Sequence, residues 1–533
     1  MKVDRRAMLG LGGAAIASAG AAAALMPPPP PPGALRGADL GRGHLLRRGN
    51  FPKPSRTERI GVAIIGGGVA GLTAGWTLAE AGCDDFRLFE LEDAVGGNAR
   101  SGRNAVTAYP LGAHYLPLAN REAVALRHFL TRSGIITGER DGLPVYDPAQ
   151  LCADLQERLF WRGRWQEGLV PRIGLGDRDS DDLARFAARM TDYSAMTGRD
   201  GRPAFAVPIA YSSADPDLRA LDRLTFTDWL AAQGFASQIL RAHVRYAMRD
   251  DYGTEPDHVS AWAGIHYFAG RRAFAADDAG DNVLTWPEGN HRLVRALAQP
   301  IGDRFTAGVV AHRVERTGRG VSVDVYDPAT DITTRVEAAT VILAVPMFVA
   351  ARLCPEIGDV RQASYAPWLV ANVTVDRLPG GEGVPIAWDN VSTTSDSLGY
   401  VVATHQSRSA GGPSVLTWYL PLSTQSPANA RRLLIERPAD DWKRIVRDDL
   451  LAMHPDLAPD IRAIELWRWG HAMVRPVPGY IWTTAPGFRV DPPLYLAHAD
   501  LSGASLFEEA HYHGTRAAEQ VMAQLGHPHV ALA

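Results

Sequence analysis

The sequence predicts an α/β fold in which a doubly wound parallel-sheet domain, built from discontinuous segments, is interleaved with an α+β domain. Three observations predict it. The apolar run Val62, Ile64 and Ile65 leads into Gly66, Gly68 and Gly71, a G-x-G-x-x-G turn that opens a helical pattern. At the other end, Leu494-Tyr495-Leu496-Ala497 is followed by His498-Ala499-Asp500. A helical pattern then places Ala510, Gly514, Ala517, Ala518 and Val521 on one face. Between these ends lie a helix-rich stretch and a stretch of β-branched runs, which suit a second domain.

In chain order, the first element is a targeting segment rather than fold. Arg5 and Arg6 precede the weakly apolar, Ala/Gly-rich run Leu9 to Met26, and the arrangement resembles a twin-arginine export signal. The resemblance implies passage through the twin-arginine export machinery to the periplasm, with membrane anchoring by an uncleaved signal as the alternative. At 18 residues and this composition, the run is a poor permanent membrane span. Six prolines, Pro27 to Pro32, and a Gly/Arg-rich stretch follow, so residues 27–58 read as an extended, poorly ordered linker.

Residues 59–120 form the first segment of the nucleotide domain. In the glycine turn, Gly66 allows the tight bend, Gly68 lets backbone N–H groups approach a pyrophosphate, and Gly71 lets the helix pack on the strand. Gly75, Leu72, Leu78 and Ala79 extend the helix, and Gly82 sits where it should stop. A second strand, Phe86 to Phe89, ends at Glu90, nineteen residues after Gly71. A carboxylate there accepts hydrogen bonds from ribose hydroxyls. Together these make a Rossmann-like dinucleotide site.

The run Glu90-Leu91-Glu92-Asp93-Ala94-Val95-Gly96-Gly97, with Arg100 beyond it, resembles the FAD-binding motif of the flavin amine oxidase and phytoene desaturase superfamily. The resemblance implies that Gly96 and Gly97 cross near the flavin pyrophosphate and that Arg100 helps neutralise it. Many relatives have arginine directly after the glycine pair, where this chain has Asn98. Asp500 resembles the acid of the closing motif, which bonds the ribityl-phosphate region; the next helix would then aim its positive N-terminus at the flavin. Trp286-Pro287-Glu288-Gly289-Asn290 resembles the loop returning to the FAD domain. Val309 to Val314 and Val341 to Pro346 resemble the strands that follow. The implied cofactor is non-covalent FAD. The implied fold is a Rossmann-like FAD-binding domain (59–120, 283–347 and 490–533) interleaved with an α+β substrate-binding domain. The latter comprises a helical part, 121–282, broken at Gly234, and a sheet part, 348–489.

Composition excludes some partners. The 533 residues carry a net charge of −4, and the first 59 hold ten Lys or Arg against three acids, so the remainder is acidic. That argues against nucleic acid. Cys83, Cys152 and Cys354 are scattered, odd in number and lie in no C-x-x-C pair, which suggests neither a disulfide framework nor a metal site. His511 and His513 diverge on a helix and read as surface residues.

The resemblance implies that the chemistry belongs to the flavin and that the protein supplies placement, electrostatics and access. His114, in Gly112-Ala113-His114-Tyr115, and His471, in the stretch Trp469 to Pro476, fall where relatives line the flavin and are the catalytic candidates; a structural role for His114 weighs equally. The stretch Trp388 to Gln406 adds aromatic and polar groups. Two features of many amine oxidases are missing. The substrate-domain strand Tyr365 to Thr374 has no lysine; by spacing from Pro379, Ala371 holds its place. Lys443, the only lysine after Lys53, sits in a charged helix and is expected to face solvent. The two caging aromatics align near Ala472 and Leu506.

Three functions remain open. One is an amine-oxidase-like enzyme acting on an amine, amino acid or similar small molecule. Another is a desaturase or dehydrogenase of an apolar substrate that passes electrons to a carrier rather than to oxygen. The third is an exported flavoprotein that binds or relays electrons.

Overall fold

The computed structural model describes residues 30–276, 282–407 and 412–533. The expected export signal, residues 1–26, lies outside them.

The nucleotide domain is built on a seven-stranded sheet. Its parallel centre runs Phe305–Thr306, Phe86–Phe89, Arg56–Ile65 and Ile332–Leu343, with Leu494–Leu496 also pairing to the last of these. Val62, Ala63 and Ile64 are wholly buried, as expected for a strand covered on both faces. Strands Gly320–Asp327 and Val310–Thr317 extend the sheet antiparallel. On one face, helix Val69–Glu80 packs against helix Phe507–Leu525. Their approach depends on a missing side chain: a Cβ on Gly514 would lie 2.3 Å from Ala70 O.

The second sheet has eight strands. Its long members are Ile461–Val474, Tyr365–Val375 and Ser414–Pro421, paired antiparallel. Helices Pro427–Glu436 and Ala439–Met453 cover one face through Leu434, Trp442, Val446 and Leu450. The other face carries Trp368, Val370, Tyr419 and Trp469 toward the nucleotide domain. A helical lobe, including Asp177–Ala195, Phe226–Ala232, Gln238–Tyr252 and Ala261–Ala269, closes the side. Gly234, at φ +76°, breaks the helical run as expected.

Several expectations need correction. The segment from residue 30 onward is not a loose linker. Leu35–Gly37 joins the edge of the eight-stranded sheet, parallel to Ile461–Val474, and helix Leu40–Arg48 follows. The Asp39 N–H donates to Glu92 Oε1 at 2.8 Å, and Arg42 pairs with Asp93 at 2.6 Å, so this segment ties the second sheet to the nucleotide domain. Phe51 then stacks on His312 at 3.9 Å.

Nor is the stretch 121–282 wholly helical. Helix Val124–Arg132 enters the nucleotide domain's core through Leu126, Phe129 and Leu130. Strands Glu157–Trp161 and Arg164–Glu167 extend the eight-stranded sheet. Lys443 is buried, 6% exposed, with its ammonium on Asp440 at 3.2 Å. Its aliphatic stem lies on the packed side of its helix, as long cationic side chains often do. His511 and His513 are buried as well, the latter with Nε2 2.7 Å from Ser502 Oγ. They sit on a helix covered on more than one side, which its mixed polarity conceals.

Candidate active site

The first cavity is a groove of about 330 Å³ along the C-terminal ends of the parallel strands, the usual ligand position in open α/β sheets. Gly66, Gly68, Glu90 and Gly97 line it at one side, and His471, Ala472, Asp500 and Leu506 at another. The three turn glycines have separate reasons. Gly66 holds φ +106°, and a Cβ there would meet Ala344 O at 2.4 Å. A Cβ on Gly71 would lie 1.9 Å from Gly66 O, so this glycine seats the helix on the turn. Gly68 is different: a Cβ there meets nothing within 4 Å and points into open groove. Only a ligand gives that glycine a purpose.

Gly96 and Gly97, at φ +119° and +53°, turn the next loop back onto the first. The Gly96 N–H donates to Gly67 O at 2.7 Å, and a Cβ on Gly97 would sit 3.2 Å from Gly68 Cα. The Glu90 carboxylate accepts from the Gly67 N–H at 2.5 Å and the Glu92 N–H at 2.8 Å. Burial pushes its pKa up, against the pull of those two donors. Each of its oxygens keeps a lone pair for a hydroxyl. Asp500 accepts from the Met347 N–H at 2.9 Å and the Tyr365 hydroxyl at 2.5 Å, with His498 Nδ1 3.1 Å away. Burial would raise its pKa, but His498, Tyr365 and Met347 outweigh it and hold the group ionised below the usual carboxylate range.

Among the described residues lining the groove there is no lysine, arginine or cysteine. Two helix N-termini, at Val69 and Phe507, supply positive potential instead. A glycine cradle, a ribose-ready carboxylate and two helix N-termini fit FAD.

The second cavity, about 130 Å³, lies beside the groove. Both are lined by Asn98, Ala113, Ala472, Ser505, Leu506 and Phe507, which form the seam between them. The Asn98 side-chain amide donates to Ala472 O across it. Beyond the seam are His114, Tyr115, Trp368, Tyr419 and Trp469, then Asp250, Asp251, Arg271 and Glu508. His114 stacks on Tyr419 at 4.6 Å, with Nδ1 3.4 Å from Gly112 O. Burial lowers its pKa to about 4, so the imidazole is neutral at pH 7. Asp251 receives Arg271 at 3.0 and 2.8 Å. Burial, then the neighbouring Asp251, pushes Asp250 up to about 7.

The structure separates the two candidate histidines. His114 lines the second cavity, whereas His471 lines the groove, near Phe348 at 4.7 Å and Tyr365 at 5.8 Å. Burial, then Arg431, Arg47 and His44, lowers the His471 pKa to about 4. Arg100 is not among the groove residues: it is paired with Glu92 at 3.0 Å and lies over Trp467. Ala371 faces the helices with Leu369 and Val373, on the wrong side of the sheet. The cavity side of that strand carries Trp368 and Val370, so the lysine is missing there too. Ala472 and Leu506 do lie at the seam, and neither is aromatic.

Sequence reasoning missed the charged wall. Its signal is the position of Asp251, three and seven residues after Met248 and Val244 on the buried face of helix Gln238–Tyr252. Among the described residues no cluster of three or more His, Cys, Asp or Glu is placed to hold a metal, and no helix is long and apolar enough to cross a membrane.

Comparison with known proteins matches this architecture. The family of flavin containing amine oxidoreductases matches residues 69–522. A protein assigned as the flavin-containing monoamine oxidase AofH of Mycobacterium tuberculosis is 27% identical over 296 residues, 54% of this chain and 57% of that protein. Tryptophan 2-monooxygenase of Pantoea agglomerans pv. gypsophilae is 39% identical over 134 residues, 24% of this chain and 22% of that enzyme. The aligned parts thus span little more than half of the longer-matching curated relative. Putrescine oxidase bound to putrescine superposes with a TM-score of 0.63 at 16% identity, covering 88% of this chain and 100% of that one. Cyclohexylamine oxidase from Brevibacterium oxydans gives 0.60 at 16%, covering 88% and 99%. A fatty acid isomerase from P. acnes gives 0.58 at 16%, covering 87% and 98%, so the fold alone does not choose a substrate. The match across residues 69–522, on a chain whose groove fits FAD and opens into a second cavity, places this protein in the flavin-containing amine oxidoreductase family.

Proposed function

We propose that this protein is an FAD-dependent oxidoreductase that oxidises a small-molecule amine and returns the electrons to oxygen or to an electron carrier. The observation that supports it most is the seam: occupants of the two cavities meet at Asn98, Ala113, Ala472, Ser505, Leu506 and Phe507. FAD, when bound, supplies the two-electron acceptor. The chain's own residues do the rest. Gly66 and Gly71 shape the turn, Gly68 with the Gly96–Gly97 loop folded against it brings backbone close to the pyrophosphate, Glu90 takes the ribose, and Asp500 anchors the ribityl side. Arg100 acts indirectly, by orienting Glu92. Neutral His114 offers the substrate a hydrogen-bonding group without a competing charge.

The monoamine, putrescine and cyclohexylamine oxidases among the similar proteins support an amine. The lysine and aromatic pair of many amine oxidases are missing here, so other groups must contact the substrate. The fatty acid isomerase favours an apolar substrate instead, but the carboxylates in the second cavity oppose that reading. A screen of primary amines, amino acids and long-chain fatty acids, read as anaerobic reduction of the flavin and, for the fatty acids, as isomerised product, tests the choice. Turnover of amines supports it, and turnover of fatty acids alone refutes it.

The export reading stands on Arg5, Arg6 and the run to Met26. It explains why a cofactor-loaded protein would be moved folded to the periplasm. Replacing Arg5→Lys together with Arg6→Lys keeps the charge and should strand the flavoprotein in the cytoplasm. Undiminished periplasmic yield would overturn it.

A further inference from the structure

Two of the six residues at the seam between the cavities have polar side chains, Asn98 and Ser505. Both are fixed by the same strand. Asn98 Nδ2 donates to Ala472 O, and Ser505 Oγ accepts from the Val474 N–H at 2.9 Å. The carbonyl and N–H of residues two apart on a strand point to the same edge. On the side of Ile461–Val474 away from Tyr365–Val375, strand Leu35–Gly37 covers only Leu466, Trp467 and Arg468. Further along, the two side chains take the place of a neighbouring strand. The Asn98 backbone is pinned as well, because its carbonyl accepts from the Ala113 N–H at 3.0 Å. The amide is therefore oriented before any substrate arrives.

Each side chain keeps unused capacity. Asn98 is exposed, and its Oδ1 accepts from none of the described residues. Ser505 Oγ has a second lone pair beyond the one that Val474 uses. The rest of the seam, Ala113, Ala472, Leu506 and Phe507, offers only hydrocarbon side chains. Among the described residues no charged side chain lines both cavities: Glu508 lines the second alone, and Asp500 the groove alone. That neutrality matters to the chemistry. The carbon beside an amine nitrogen gives up a hydride only if the nitrogen lone pair is free to form the C=N bond, and an ammonium has no such pair. A carboxylate at the seam would hold the ammonium, whereas neutral acceptors in apolar surroundings favour the uncharged amine. An uncharged primary amine brings two N–H donors, and two acceptors stand ready for them.

Resting on the amine-oxidising reading, we infer that Asn98 Oδ1 and Ser505 Oγ accept the two N–H groups of an uncharged primary amine at the seam and leave its lone pair free. The C–H bond beside the nitrogen breaks, its hydride passes to the two-electron acceptor, and the lone pair closes the C=N bond. The substrate is oxidised by two electrons and the acceptor reduced by two. Asn98, which stands where many relatives have arginine, is thus a substrate contact rather than a phosphate contact.

The test mixes the holoenzyme anaerobically with benzylamine or cyclohexylamine and follows the limiting rate of flavin bleaching. Binding is measured separately, by calorimetry at pH 7, with α,α-dimethylbenzylamine and 1-methylcyclohexylamine, which lack the hydrogen to be removed. Asn98→Ala slows bleaching about tenfold or more and weakens binding about 2- to 10-fold, with FAD content unchanged. Asn98→Asp has nearly the same shape but holds the ammonium: binding tightens about tenfold while bleaching slows about 100-fold, because the bound form has no lone pair. A side chain that only clips its loop to Ala472 would move binding and rate in the same direction in both variants, and FAD content with them. Ser505→Ala removes the second acceptor and slows bleaching about tenfold, which keeps the test open should neither Asn98 variant fold. Wild-type bleaching in Asn98→Ala or in Ser505→Ala overturns the inference, as does an Asn98→Asp form that loses affinity and rate together. A wild-type flavin bleached by neither amine, nor by any other primary amine offered, brings down the amine-oxidising reading itself.

Discussion

Gly68→Val separates the fold from the cofactor site. The residue before helix Val69–Glu80 sits at φ −73°, ψ −177°, an extended conformation that valine adopts without strain. Its new Cβ meets no atom within 4 Å, so the apoprotein should fold and melt within about 0.5 kcal/mol of wild type. The isopropyl group instead occupies the groove where backbone N–H groups approach the pyrophosphate. Losing even one charge-assisted hydrogen bond there costs about 1.5–3 kcal/mol, which lowers FAD affinity about 10- to 150-fold. Gly71→Ala is the contrast: its Cβ would lie 1.9 Å from Gly66 O, so helix and turn must part. That overpacking costs about 1–3 kcal/mol of stability in the apoprotein itself. Urea melts of the two apoproteins, with FAD titrations followed by fluorescence quenching, measure both effects. The reasoning is refuted if Gly68→Val keeps wild-type FAD affinity, or if it destabilises the apoprotein as much as Gly71→Ala.

Removing residues 30–51 should lower both the melting temperature and FAD retention, because Leu46 lines the groove and Asp39 and Arg42 hold Glu92 and Asp93; an unchanged melt and flavin content would show the segment to be ornamental. His114→Ala should keep FAD and slow flavin reduction by about 10²–10⁴-fold if the ring acts as acid or base, with a pure affinity loss marking it as a positioning group. His471→Ala should act mainly on FAD affinity, because its ring lines the groove and not the substrate cavity. Glu509 is fully buried, accepts from the Ile209 N–H at 2.7 Å, and is raised by burial to about 7. A carboxyl with a raised folded pKa contributes stability that is full below about pH 4.5 and is lost as pH rises through 7. Glu509→Gln does not titrate, so its stability relative to wild type should improve by up to about 3 kcal/mol between pH 4.5 and pH 8, in melts across that range. A pH-independent difference would mean that the carboxyl ionises freely.

What the sequence made legible was local. The turn around Gly66, Gly68 and Gly71, the strand ending at Glu90 and the helix after Asp500 each follow from neighbours in the chain, and their structure matches those expectations. What it concealed depends on distant partners. Gly33 and Gly37 look like linker residues, yet Cβ atoms on them would lie 2.1 Å from Ile464 O and 2.7 Å from Arg468 O. They are there for close approach to a strand more than 400 residues away, not for flexibility. Ala371 shows the strand's period of two: a slip of one residue moves a position from the cavity to the helix-covered face. Asp250 and Asp251 look like an ordinary charged helix end, and only the arrival of Arg271 and Glu508 from other elements makes that end a cavity wall. Arg100 shows the limit of motif transfer, since two residues of displacement bring it to Glu92 instead of the groove.

The most direct measurement is anaerobic mixing of the purified holoprotein with a panel of primary amines while the visible flavin spectrum is followed, then admission of oxygen. The account predicts extractable, non-covalent FAD whose absorbance bleaches with one equivalent of an amine substrate and returns with oxygen or an added electron carrier. A protein that carries no FAD after supplementation, or whose FAD stays oxidised with every amine yet is reduced by an apolar substrate, would contradict it.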